Sequence, residues 1–260
     1  MEIKINQKIF HITPTKHSIE SIVIFGSYIR GSYNEKSDID FLIIIDNCSL
    51  EKKAAAAINI CNEMNIPLGW LSLFTIDEFR NLCTKGTHFI WSTYLEGKIF
   101  YSRNNFIENS YKNLPLYFNM QEDIARNYTA LINLKNDLRQ LKCDYGREIC
   151  LIGYIIRNTL MILTYSYGYV TFDKYEVIDI SCNIQDLSLP FTKEQYYTLL
   201  KLKEDYKYDP DHFVFPSYIE NYIGKWLYYG EKLLRISEVK ISQLTSNGFI
   251  SPFIFSTGSC

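Results

Sequence analysis

Residues 21–45 restrict the possible folds more tightly than any other stretch of this 260-residue chain. Two β-branched runs, Ser21 to Phe25 and Phe41 to Ile45, read as strands, the second apolar throughout and therefore buried on both faces. The segment between them, which opens Gly26-Ser27-Tyr28-Ile29-Arg30-Gly31, reads as a turn and a short helix. Gly26 lets the backbone turn sharply and approach a ligand closely, and the amides of a helix starting there present positive dipole ends to a triphosphate. Ser27 adds a hydroxyl donor. Ten residues separate Ser27 from Asp38-Ile39-Asp40. On a strand, side chains alternate between faces, so both carboxylates project together while Ile39 points into the core.

Two carboxylates on one face form an oxygen-rich cage for Mg2+, which would relieve their mutual repulsion. Such a cation bridges phosphates, aligns an attacking hydroxyl and neutralises a departing pyrophosphate, the electrostatic logic of phosphoryl-type transfer. The plain alternative is a Gly-Ser turn beside an Asp-Ile-Asp strand edge. From average residue usage the four fixed positions coincide by accident in roughly one of several hundred chains of this length, and the strand-like flanks make the accident rarer.

The rest of the chain divides by texture. Residues 1–103 mix short β-branched runs with helical segments and predict a mixed-sheet α/β domain: Lys52 to Asn65 is a surface helix, Leu68 to Phe74 a third strand, and Gly97 to Tyr101 closes the sheet. Residues 104–260 carry apolar residues at i, i+3 and i+4, around Met120 to Leu141, Glu148 to Tyr167, Lys193 to Tyr206 and Tyr218 to Ile236. That pattern predicts an all-α bundle, so the fold class is α+β with two domains, substrate lying in the cleft between them. The apolar end, Phe249 to Cys260, reads either as a segment docked on the body or on a neighbouring copy, giving a homodimer, or as a disordered tail.

Charge and cysteines narrow the chemistry further. With 27 Lys and Arg against 29 Asp and Glu, the formal charge is −2, and the chain lacks the global basic field of most nucleic-acid binders. Seven cysteines in no C-x-x-C pair, with four scattered histidines, predict reduced and mostly buried thiols in the cytoplasm rather than a zinc site. The N-terminus has no apolar stretch of signal-peptide length. The stretch Ile149 to Val170 is apolar enough to mimic a membrane span, but Arg157, Asn158 and several tyrosines favour a buried bundle helix and no membrane.

The Gly26-Ser27 and Asp38-x-Asp40 pattern resembles the G-S-x10-D-x-D signature of the polymerase-beta-like nucleotidyltransferases. Its pairing with a helical bundle is similar to the antibiotic nucleotidyltransferases, including those acting on streptomycin, spectinomycin and kanamycin, and to related HEPN-type helical domains. The motif is specific to the superfamily, whereas the bundle resembles them in shape more than in residues. The resemblance implies that Gly26, Ser27 and Ser37 contact nucleotide phosphates and that Asp38 and Asp40 ligate Mg2+. It implies transfer of a nucleoside monophosphate, with ATP as donor, to a hydroxyl of a small molecule such as an aminoglycoside. Nucleotidylation of a protein or tRNA and non-catalytic nucleotide binding are the competing expectations.

The chain departs from the family at one place. A third carboxylate commonly stands on the next strand, yet Pro67 to Thr75 has none, and Ser72 or Gly69 falls there depending on alignment. Asp77 and Glu78 read better as the first turn of a helix capped by Thr75. Kanamycin nucleotidyltransferases use a bundle glutamate as base, which makes Glu148 the candidate here, against the plain alternative of a solvated first-turn glutamate. Arg30 and Lys36 read as phosphate-steering or plain surface cations. Arg157 needs a buried acceptor but is followed by no histidine at HEPN-ribonuclease spacing. The many tyrosines read as ring-stacking or half-buried bundle residues. Glu204, Asp205, Asp209 and Asp211 read as a cluster for a cationic substrate or a solvated loop.

Overall fold

The computed structural model describes residues 1–35, 37–140 and 144–246. Lys36, Cys143 and the apolar end Phe249 to Cys260, with Cys260, lie outside the described residues, as does Leu141 at the end of one expected helix. The chain forms two compact units, Met1–Tyr117 and Phe118–Cys260.

The first unit begins with a hairpin, β1 (Glu2–Ile5) and β2 (Lys8–His11), that turns through Asn6 at φ 53°. Then come β3 (Ile19–Phe25), the one-turn helix α1 (Ser27–Arg30), β4 (Asp40–Ile45), α2 (Leu50–Met64) and β5 (Leu71–Thr75). The unit continues through α3 (Ile76–Thr84), α4 (His88–Glu96), β6 (Lys98–Ser102) and α5 (Phe106–Tyr111). Strand order is β5-β4-β3-β6, with β4 parallel to β5 and the other pairs antiparallel.

Both faces of this sheet are covered, which explains the continuous apolar run Phe41 to Ile45. On one face Ile22, Ile24, Phe41 and Ile43 pack with Ile3, Ile5 and Phe10 of the hairpin and Ile60 and Met64 of α2. On the other, Val23, Leu42 and Ile44 meet Phe79 of α3, Ile90 of α4 and Ile107 and Tyr111 of α5. That packing carries the division of the chain to residue 117, fourteen residues beyond the textural change at 103, because α5 buries Ile107 and Tyr111 against the sheet.

Two further differences from expectation have local causes. Residues 68–70 form a 3-10 turn, and the strand begins only at Leu71. Two exposed thiols, Cys48 and Cys182, accompany the buried Cys61 and Cys83, so the described cysteines are not mostly buried.

The second unit contains α6 (Met120–Arg139), α7 (Tyr145–Ser166), α8 (Glu176–Asn183), α9 (Lys193–Tyr208) and α10 (Ile219–Ser246). Helix α7 packs against the other four, which is why it is apolar almost all round. By length and composition it could cross a bilayer, yet 72% of its most apolar window is buried within the protein. Asp144 caps it, accepting from the amides of Gly146 and Arg147 at 3.1 and 3.3 Å.

Candidate active site

The pairing of β3 with β4 builds the site. Their antiparallel register sets Phe25 opposite Asp40, so the residue that leaves β3, Gly26, lies beside the carboxylate that opens β4. Gly26 has φ 78° and ψ −158°, a conformation side-chain-bearing residues rarely adopt. A Cβ built there would stand 2.3 Å from Asp40 Oδ2. The glycine is therefore required twice, for the turn and for the room its missing side chain gives the carboxylate.

The turn continues into α1, where the amides of Ile29 and Arg30 bond Gly26 O at 3.1 and 3.2 Å. Ser27 is the first helical residue and is half-buried. With four residues, α1 supplies a few amides rather than an extended helix dipole. Ser37 closes a turn with Asn34: its Oγ accepts from the Asn34 amide at 2.9 Å and donates to Asn34 Oδ1 at 3.2 Å. A phosphate contact by Ser37 exchanges these local bonds.

Asp38 lies outside the ladder, two residues before the first paired position of β4. Ile39 is fully buried between the half-buried Asp38 and Asp40, the alternation expected of same-face carboxylates. Asp38 Oδ1 accepts a hydrogen bond from Trp70 Nε1 at 2.9 Å. No group of three or more His, Cys, Asp or Glu side chains with metal-binding geometry occurs among the described residues. Two carboxylates nonetheless fit Mg2+, which is held by one or two protein carboxylates together with substrate phosphates and water. Gly26 lets the Asp40 carboxylate lie against the turn that opens α1, which sets a cation ligand beside amides suited to phosphate.

Strand β5 carries no acid. Its parallel register sets Ser72 opposite Leu42, on the Asp40 face but one strand repeat farther along. Gly69 falls in the 3-10 turn before the strand. Asp77 and Glu78 are held elsewhere: Thr75 and Glu78 complete a capping box, Glu78 pairs with Lys53 at 2.6 Å, and Asp77 accepts from Asn47 at 2.7 Å. Arg30 is paired with Glu96.

Glu148 sits in the second unit with its side chain fully buried, not as a solvated first-turn residue. Neither carboxylate oxygen has a hydrogen-bond partner, and burial raises its pKa, with the nearby Asp144 charge adding to the effect. Arg157 finds Asn158 Oδ1 at 3.2 and 3.1 Å and the ring of Tyr154. Of the four acids from Glu204 to Asp211, Glu204 binds Lys174 and Tyr175, and Asp209 binds His212. Tyr196 is a core residue whose hydroxyl donates to Lys174 O at 2.9 Å.

The structure adds residues that the sequence did not mark. Trp70 joins Asp38, Lys8 Nζ lies 5.1 Å from the Trp70 ring and 5.3 Å from the Tyr28 ring, and Tyr28 stacks on Tyr33 at 4.4 Å. Only the register between β4 and β5, invisible in composition, would have brought Trp70 to Asp38. In the second unit Lys203 is buried over Tyr154, 3.6 Å from the ring centroid, and burial followed by the Arg157 charge lowers its pKa to about 7.

Residues 7–106 match the family described as polymerase beta, nucleotidyltransferase. Two proteins of Methanocaldococcus jannaschii, provisionally named protein adenylyltransferases, are similar over shorter stretches. One is 33% identical over 54 residues, 21% of this chain and 54% of its own length; the other is 61% identical over 28 residues, 11% and 28%. The chain thus spans about half or less of the curated relatives it matches. Among solved structures, a spectinomycin adenyltransferase of Enterococcus faecalis, crystallised with ATP and spectinomycin, superposes with TM-score 0.51 at 14% identity, over 84% of this chain and 94% of that one. That likeness shows a shared fold: a mixed α/β sheet domain followed by helices.

Proposed function

We propose, from the premise that residues 7–106 are a nucleotidyltransferase domain of the polymerase-beta family, that the chain transfers AMP from ATP to a hydroxyl of a small molecule. The observation that carries this reading is the close approach of Asp40 to Gly26, which sets a carboxylate at a strand end against the turn that opens α1. Asp38 and Asp40 would hold Mg2+, and Gly26 and Ser27 would receive the phosphates, with Ser37 joining them as its turn opens. Bound there, the cation neutralises charge on the phosphates and on the leaving pyrophosphate.

In the reaction the acceptor oxygen forms a bond to the α-phosphorus as the bond to the β-phosphate oxygen breaks. Pyrophosphate leaves, and the acceptor proton passes to a base. With β5 bare of acids, we keep Glu148 of the second unit as the candidate base, its burial raising the proton affinity of its carboxylate. The antibiotic-type acceptor is supported by the shared fold with an enzyme crystallised with spectinomycin. A reduced, cytoplasmic setting accords with the unpaired thiols among the described residues.

Pyrophosphate release from ATP and Mg2+ across a panel of aminoglycosides, spectinomycin and lincosamides tests the proposal. Wild type should release pyrophosphate with one class of drug, and the D38A/D40A double variant should lose at least about 1000-fold of that rate. Silence across the panel with ATP binding intact removes the small-molecule acceptor. A second reading, adenylylation of a protein, is favoured by the two archaeal relatives and predicts a labelled macromolecule instead.

A further inference from the structure

We infer that Trp70 is a positioning residue for Asp38, its indole N–H fixing the direction in which that carboxylate presents itself to a cation. The inference rests on the nucleotidyl-transfer reading above and adds to it a residue that no motif marks.

Asp38 lies just outside the sheet. Backbone pairing of β4 with β3 starts at Phe25 and Asp40, so the segment carrying Asp38 reaches the strand from a loop. Each carboxylate rotamer that a fixed donor excludes before a cation arrives is ordering entropy that binding does not have to supply.

The partner arrives from the neighbouring strand. Parallel pairing of Phe41 with Leu71 sets the approach to β5 beside the approach to β4, and the 3-10 turn, closed by Trp70 N bonding Pro67 O at 3.0 Å, sets the indole at its end. From there Nε1 donates to Asp38 Oδ1 at 2.9 Å. A hydrogen bond to an ionised acceptor is about twice as strong as a neutral one, and a neutral donor adds no charge to compete with the cation.

The indole is itself held. It packs against the apolar cluster shared by the hairpin and the sheet, and Lys8 lies over both Trp70 and Tyr28. Because Tyr28 follows Ser27 in α1, Lys8 ties the turn that would receive phosphate to the ring that orients Asp38. Partners that orient metal ligands typically change metal affinity 10–100-fold when removed.

The test compares wild type, Trp70→Phe, Trp70→Ala and Asp38→Asn by titration with Mn2+ in the presence of α,β-methylene-ATP, alongside melting temperature. Phe keeps most of the packing and removes only the donor. We expect W70F to weaken Mn2+ binding by about 10-fold or more, toward the loss in D38N, while its melting temperature falls less than that of W70A. A merely structural role predicts the reverse, with W70F binding Mn2+ like wild type and only W70A impaired, and that result overturns the inference while leaving nucleotidyl transfer standing. If wild type binds no Mn2+ with the nucleotide, both fall together.

Should W70F fail to fold, the 15N indole resonances of the three tryptophans in the wild type keep the question open to an answer. Mn2+ should broaden the Trp70 signal before that of Trp91, and equal broadening of the two contradicts the inference.

Discussion

Gly26 is the residue on which the site turns. Its φ of 78° and the 2.3 Å separation between a hypothetical Cβ and Asp40 Oδ2 arise from different causes, backbone strain and side-chain collision. Alanine at this position strains the backbone and pushes the Asp40 carboxylate aside. Gly26→Ala should cost about 1–3 kcal/mol of stability and lower turnover by about 100-fold or more, the larger effect falling on turnover because the displaced group is a proposed cation ligand. Thermal unfolding and pyrophosphate release measured on the same preparation check the pair, and unchanged turnover would remove Gly26 from the machinery. At this scale the sequence was readable where one residue type has one physical use: Gly26 makes the turn and Asp40 opens β4, while Asp38, expected on the strand, lies two residues before it. Trp70 was not readable, since an indole between Gly69 and Leu71 resembles any core aromatic until the strand register sets it beside Asp38.

Among the elements, α7 combines a strong sequence signal with a buried ionisable group that the signal conceals. Its apolar periodicity located the helix to within three residues at its start, and Asp144 caps it. Periodicity does not report which side of the stripe a single glutamate faces, and Glu148 proves fully buried. An acid whose folded pKa lies above its ordinary value of 4.5 keeps its proton in the fold while the unfolded chain has lost it, so its contribution to stability falls as pH rises through that interval. Glu148→Gln is neutral at every pH and nearly isosteric. Near pH 4 the variant should match wild type, and toward neutral pH it should become the more stable, which urea unfolding at several pH values measures. The same variant decides the base assignment: turnover should drop with nucleotide binding intact, whereas undiminished turnover excludes Glu148.

Shorter elements escaped for related reasons. The hairpin β1–β2 hides its alternation among its lysines, Asn6 and Gln7, yet it supplies Ile3, Ile5 and Phe10 to the core and Lys8 to the site. The third strand starts at Leu71 and not Leu68, because residues 68–70 wind into a 3-10 turn. That shift matters chemically, since it sets Trp70 at the strand's entrance and Ser72 opposite Leu42.

At the scale of the whole molecule, the two textures of the sequence correspond to two compact units, one built on a mixed sheet and one helical across its described residues. The change of texture leads the change of unit, because α5 is amphipathic in pattern but buries its apolar side on the sheet. The chemistry assigned to the first unit makes a sharp demand on isotopes. ATP labelled at the α-phosphorus and, separately, at the γ-phosphorus should be incubated with Mg2+, the productive acceptor, and wild type or D38A/D40A protein. The α-label should appear on the acceptor and the γ-label in pyrophosphate, both only with wild type. Transfer of the γ-label to the acceptor, or release of inorganic phosphate without acceptor labelling, would contradict nucleotidyl transfer at Asp38 and Asp40.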